Sequence, residues 1–210
     1  MNTKIKICGL RREEDILCAN EIQPDFIGFV FAKKSRRFVS PEQAAHLREL
    51  LSPKIISVGV FVNEEPGQAA RLLEQGVIGM AQLHGQEDET YIRRLRSLTE
   101  KPVLQAFRIE TKEDVRRAEA SEADYILLDH GAGGSGECFD WTLLEEIKRP
   151  YFLAGGLRTD NVLQALRQTK PYAVDVSSGV ETEGVKDAEK MRAFVRRVRS
   201  GSHDPGRPVS

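Results

Sequence analysis

The sequence predicts an α/β fold, a single (β/α)8 (TIM) barrel, from three observations. Eight short apolar, β-branched runs recur along the chain, their spacing is nearly constant, and the intervals between them have the length of helices. The runs are Lys4–Cys8, Phe26–Phe31, Ile55–Phe61, Ile78–Leu83, Val103–Phe107, Tyr125–Asp129, Tyr151–Ala154 and Ala173–Val176, with starts 22, 29, 23, 25, 22, 26 and 22 residues apart. Strands alternating with helical segments make βαβ units and a parallel sheet, and eight units with no chain left over fit a closed barrel rather than an open doubly wound sheet.

The intervals carry helix signals in order. Ser40-Pro41-Glu42-Gln43 supplies a hydroxyl cap, Pro at the first helical position and Gln for a capping box. Thr111 with Asp114 is a weaker version of the same box, and Thr159 or Asp160 can cap a helix running through Arg167. In the last helix Met191, Phe194, Val195 and Val198 form one apolar face, and the surrounding Lys190, Arg192, Arg196, Arg197 and Arg199 read as its solvated side. Residues 1–200 are thus expected to form the barrel. The stretch 201–210, with two Gly, two Pro, two Ser and no apolar pattern, is expected to be a disordered tail.

Composition narrows the function classes. Across 210 residues, 31 Lys+Arg face 32 Asp+Glu, a formal net charge of −1, so nothing calls for a nucleic-acid surface. The longest apolar stretch, residues 55–62, is interrupted by Ser57 and Gly59 and falls far short of a membrane span. The N-terminus has no apolar signal region, and three cysteines at unrelated spacings suit reduced thiols, so a cytoplasmic setting is expected. No obligatory protein partner is evident.

In such a barrel the chemistry sits at the C-terminal ends of the strands. Gly155 and Gly156 after the seventh strand, and Ser178 and Gly179 after the eighth, leave backbone N–H groups uncovered, as an anion pocket for phosphate requires. Cys8, at the mouth end of the first strand, can be a base or nucleophile, or a small apolar filler. Asp129 closes the sixth strand beside a glycine-rich stretch, residues 131–136, where a carboxyl can act as general acid or bond to loop N–H groups. Those two strands lie three apart around an eight-strand ring, so the side chains would face each other across the mouth. Arg37 can fork onto a carboxylate. His84 is open between ligand, proton carrier and hydrogen-bonded polar residue. Cys18 and Cys138 read as structural.

These residues belong to a set of motifs. KICGL at 6–10, S-x-R-F-V at 35–39, VGVFVN at 58–63, QLHG at 82–85, LLD at 127–129, GGSGECFDW at 133–141, AGGL at 154–157 and DVSSGVE at 175–181 occur in this order. Together they resemble phosphoribosylanthranilate isomerase, over everything but the tail. The resemblance implies a cofactor-free, metal-free barrel enzyme of tryptophan biosynthesis. Its reaction is an Amadori rearrangement of the phosphosugar N-(5-phosphoribosyl)anthranilate to 1-(2-carboxyphenylamino)-1-deoxyribulose 5-phosphate. It further implies Cys8 as general base, Asp129 as general acid, Arg37 on the anthranilate carboxylate, and Gly155, Gly156, Ser178 and Gly179 on the phosphate. His84 and Asp175 are left as ligand-positioning residues. Arg36 stands where the family often has Pro, so it competes with Arg37, which directly precedes Phe38-Val39 as the pattern requires. Ser135 stands where Thr is common. A related histidine-pathway isomerase carries an aspartate where this chain has Cys8, and a barrel that binds a phosphorylated metabolite without turnover is the alternative of a different class.

Overall fold

The apolar runs form strands β1 (Lys4–Cys8), β2 (Phe26–Val30), β3 (Ile56–Phe61), β4 (Met80–Leu83), β5 (Val103–Arg108), β6 (Tyr125–Asp129), β7 (Tyr151–Leu153) and β8 (Ala173–Val176). In the computed structural model, which describes residues 2–129 and 141–201, they are all parallel and close into one barrel in chain order, β8 pairing back onto β1. Helices α1 (Glu13–Ile22), α2 (Pro41–Leu50), α3 (Pro66–Glu74), α4 (Glu89–Arg96), α5 (Lys112–Glu119), α6 (Val162–Thr169) and α7 (Ala188–Gly201) lie outside the ring. The glycine-rich stretch with Ser135 and Cys138, and the expected tail beyond Gly201, fall outside the described residues.

Alternation along each strand divides the barrel into two apolar layers. Outward residues such as Ile5, Ile7, Ile27, Phe29, Ile126, Leu128, Leu153 and Val174 pack against the helices. Inward residues Phe26, Val58, Met80, Leu104, Leu127, Phe152 and Ala173 fill the lower interior. Phe26, Tyr125, Phe152 and Tyr172 form an aromatic plug at the N-terminal end, with ring centroids 5.3–5.8 Å apart. The inward polar residues Gln82 and Asp175 follow Met80 and Ala173 along their strands, and Lys6 stands in register with Asp175.

Three local expectations need correction. Ser40 does cap α2, accepting from the Gln43 N–H at 3.1 Å, but the Gln43 amide reaches the Arg11 carbonyl at 2.8 Å instead of closing the box. The full reciprocal box is the one at Thr111 and Asp114. Neither Thr159 nor Asp160 caps α6: Asn161 occupies that position, and its amide is engaged by the preceding loop, bonding Gly156 O and Arg158 N. Between β6 and β7, where a helix was expected, the described chain forms only a short 3-10 helix, Trp141–Glu146, before Pro150 and β7. The last helix follows expectation, with Met191, Phe194, Val195 and Val198 buried, and its basic residues reach out to α1 (Arg192 to Glu21, 2.5 Å).

Candidate active site

Cys8 ends β1 on the inward face, packed beside Val30 and Val60. Two residues earlier on the same face Lys6 is wholly buried, and its ammonium lies 2.9 Å from Asp175 Oδ2 on the neighbouring β8. Burial pushes the Cys8 thiol pKa up and Asp175 adds to that; Lys6 and Lys186 pull it down without cancelling the rise. The net effect favours the neutral thiol.

After β8 the chain makes a 3-10 turn, Ser178–Val180, then a small antiparallel hairpin, β9 (Glu181–Thr182) and β10 (Val185–Lys186). Glu183 and Gly184 turn the hairpin in the left-handed region. Its base is a buried ion cluster. Glu181 binds Lys186 Nζ at 2.6 Å, Arg37 Nε at 2.6 Å and Nη2 at 2.9 Å, and Arg36 Nη2 at 2.9 Å. Burial would raise the Glu181 carboxyl pKa, but its bonds to Arg37 and Lys186 lower it to about 2. Arg37 thus forks onto a carboxylate of the protein itself through Nε and Nη2, and among the described residues its Nη1 makes no hydrogen bond. Gly9 makes the position possible: a Cβ there would meet Arg37 Cδ at 2.4 Å. Arg36 is the more exposed of the two arginines, 60% against 20%.

Asp129 ends β6 three strands from Cys8, inward by the same alternation that points Tyr125 and Leu127 inside. His84 Nε2, just beyond β4, lies 3.8 Å from Asp129 Oδ2. Gln82 Nε2 is 2.8 Å from His84 Nδ1, and an amide donating there leaves the neutral ring's proton on Nε2, facing Asp129.

The loops after β7 and β8 meet closely. Gly155 and Gly156 both have positive φ, 86° and 63°, and a Cβ on Gly179 would lie 1.9 Å from the Leu157 carbonyl oxygen. Among the described residues, the N–H groups of Gly155, Gly156, Ser178 and Gly179 find no backbone acceptor. Within the same residues no three His, Cys, Asp or Glu side chains converge as metal ligands, and no helix is long and apolar enough to cross a membrane.

Comparison with known proteins places the chain in a family. A family model described as N-(5'phosphoribosyl)anthranilate (PRA) isomerase matches residues 5–197. The chain belongs to this isomerase family. It is 48% identical to the N-(5'-phosphoribosyl)anthranilate isomerase of Endomicrobium trichonymphae over 201 residues, 94% of this chain and 98% of that protein. The Acetivibrio thermocellus isomerase is 45% identical over 210 residues, covering 94% of this chain and 96% of its own. The crystal structure of the Thermotoga maritima isomerase matches with a TM-score of 0.87 at 37% identity, over 94% of this chain and 99% of that one. A further member, solved in complex with reduced 1-(O-carboxyphenylamino)-1-deoxyribulose 5-phosphate, matches at TM-score 0.84 and 36% identity over the same shares.

Of the residues singled out from sequence, the fold brings Cys8 and Asp175 together on one side of the mouth and His84 and Asp129 on the other. Arg37 reaches in from the loop after β2. Sequence reasoning passed over Lys6, Glu181, Lys186 and Gln82. Lys6 had a signal, a charged residue alternating in phase with Cys8 inside an apolar strand, and an inward lysine needs a partner.

Proposed function

We propose that this member of the isomerase family converts N-(5-phosphoribosyl)anthranilate to 1-(2-carboxyphenylamino)-1-deoxyribulose 5-phosphate in tryptophan biosynthesis, with Asp129 as general acid and Cys8 as general base. The observation that carries this reading is the pair itself: one thiol and one carboxyl on the inward face of a single mouth, three strands apart. Asp129 gives a proton to the furanose ring oxygen as the C1′–O bond breaks, leaving a protonated Schiff base at C1′. That cation acidifies the C2′ hydrogen, which the Cys8 thiolate removes to form an enolamine. Protonation at C1′ with loss of the 2′-hydroxyl proton gives the ketone, and exchange with water restores both groups. The rearrangement is redox-neutral and consists of proton transfers, so it calls for no cofactor.

In this reading the remaining residues bind and orient. The Nη1 side of Arg37 takes the anthranilate carboxylate, and the Gly155–Gly156 and Ser178–Gly179 N–H groups take the phosphate. His84 and Asp175 position the ribose between them. Fixing both ends of the substrate sets the C1′–C2′ region between acid and base. The setting is cytoplasmic, with the phosphosugar as the partner. The test is conversion of substrate generated in place. Loss of its fluorescence together with appearance of the aminodeoxyribulose phosphate by mass spectrometry is expected, whereas tight binding of a phosphorylated ligand without product supports the non-catalytic alternative and contradicts the proposal.

A further inference from the structure

A buried Lys–Asp pair in a barrel interior is a poor stabilising device, because desolvating two charges offsets most of their attraction. Here the desolvation is incomplete in compensation as well: among the described residues Asp175 Oδ1 is buried with no hydrogen-bond partner, while Oδ2 alone holds Lys6. The pair therefore asks for a role other than stability. Strand geometry supplies it. Lys6 and Cys8 share the inward face of β1, about 6.6 Å apart along the strand, within reach of an extended lysine side chain.

The charges facing Cys8 can be taken element by element. From its own strand comes Lys6, and from β8 Asp175. From the hairpin after β8 comes Lys186, tied to Glu181, and from the loop after β2 comes Arg37, tied to the same Glu181. The neighbours on β2 and β3 are Gly28, Val30 and Val60, which carry no charge. Among the described residues Lys6, Lys186 and Arg37, with Arg36 at the exposed edge of the cluster, thus share only the carboxylates of Asp175 and Glu181, which leaves an excess of positive charge. A thiolate at Cys8 would balance it.

We propose that Lys6 is a positioning residue for Cys8: anchored by Asp175 inside the barrel, its ammonium stabilises the thiolate from below. The inference rests on the reading of Cys8 as the base only for its consequence in turnover; the effect of Lys6 on the thiol is separable. The electrostatics agree in direction. Burial pulls the Lys6 ammonium down, but Asp175 and Cys8 more than offset it and keep it protonated. Lys6 lowers the thiol's pKa through its charge, and Asp175 works in the opposite sense.

The experiment is the pH dependence of iodoacetamide alkylation, read at the Cys8-containing peptide by mass spectrometry in wild type, Lys6→Met and the double variant Lys6→Met/Asp175→Asn. Lys6→Met is expected to move the midpoint up, slowing alkylation below it by about tenfold or more. The double variant removes both charges and is expected to fall between the two, still slower than wild type. Where Lys6→Met alone fails to fold, because it strands the Asp175 carboxylate, the neutral double variant decides the matter. An unchanged midpoint in a folded variant overturns the proposal. The pH profile of kcat/KM separates the two layers: if alkylation shifts and the profile does not, Lys6 acts on Cys8 but Cys8 is not the base.

Discussion

Arg37 and Arg36 meet the same carboxylate, yet they are placed for different work. Arg37 is mostly buried and spends only one edge of its guanidinium on Glu181, while Arg36 lies largely in solvent. Charge-assisted hydrogen bonds to a ligand carboxylate contribute roughly 1.5–3 kcal/mol. Arg37→Ala is therefore expected to raise KM by about tenfold to a hundredfold with a smaller loss in kcat. Arg36→Ala should change KM by less than about threefold, as surface ion pairs contribute little; steady-state kinetics on both variants distinguishes them. Strand periodicity alone made the positions of Cys8 and Asp129 at strand ends legible, whereas their proposed roles, and the choice of Arg37 in the loop after β2, rest on the motifs that resemble the family. Glu181 was not legible as a partner of Arg37, since 144 residues separate them and only ring closure brings them together. Lys6 stood in plain sight within KICGL, but its role depends on Asp175 across the β1–β8 seam.

At the scale of elements, the loops after β7 and β8 work as one unit. Asn161 ties Gly156 into its turn, and Gly179 leaves room for the Leu157 carbonyl. A methyl group at Gly179 must push the two loops apart, so Gly179→Ala is expected to weaken competitive inhibition by inorganic phosphate by about tenfold, the loss of one charged hydrogen bond. An unchanged inhibition constant in a folded variant would detach these loops from phosphate binding. Helix starts were legible only in part. Hydroxyl caps at Ser40 and Thr111 follow from local chemistry. The start of α6 does not, because the Asn161 amide answers to a loop rather than to the helix it opens, and Gln43 likewise answers to Arg11.

Across the whole molecule, the eightfold spacing made the barrel legible before any contact was known, while among the described residues between β6 and β7 a 3-10 turn stands where a helix was expected. Acid stability is a property of this scale too. The Glu181 carboxyl has an ordinary value of 4.5 and is held at about 2 in the folded chain. A depressed carboxyl contributes stability that is complete above its unfolded pKa and is lost as pH falls through the folded one. The Asp114 carboxyl of the α5 box, lowered from an ordinary 3.8 to about 2 against its burial by Thr111, Arg117 and backbone N–H groups, acts in the lower part of the same range. Urea midpoints should therefore fall from about pH 4.5 toward pH 2, and Glu181→Gln should flatten that dependence; an equally steep fall in the variant would assign the acid sensitivity elsewhere. The interior plug is the other global support. Phe152→Ala is expected to cost about 3–5 kcal/mol, seen as a lowered urea midpoint.

The measurement that bears most directly on the account is turnover of substrate generated in place, followed by its fluorescence, in wild type, Cys8→Ala and Asp129→Asn. A positioned proton-transfer group contributes roughly 10²–10⁴-fold. Each variant is therefore expected to lose at least about a hundredfold in kcat while remaining folded, and the double variant to be little worse than either alone. Full activity in Cys8→Ala or Asp129→Asn would contradict the acid–base assignment, and absence of turnover by folded wild type would contradict the isomerase reading itself.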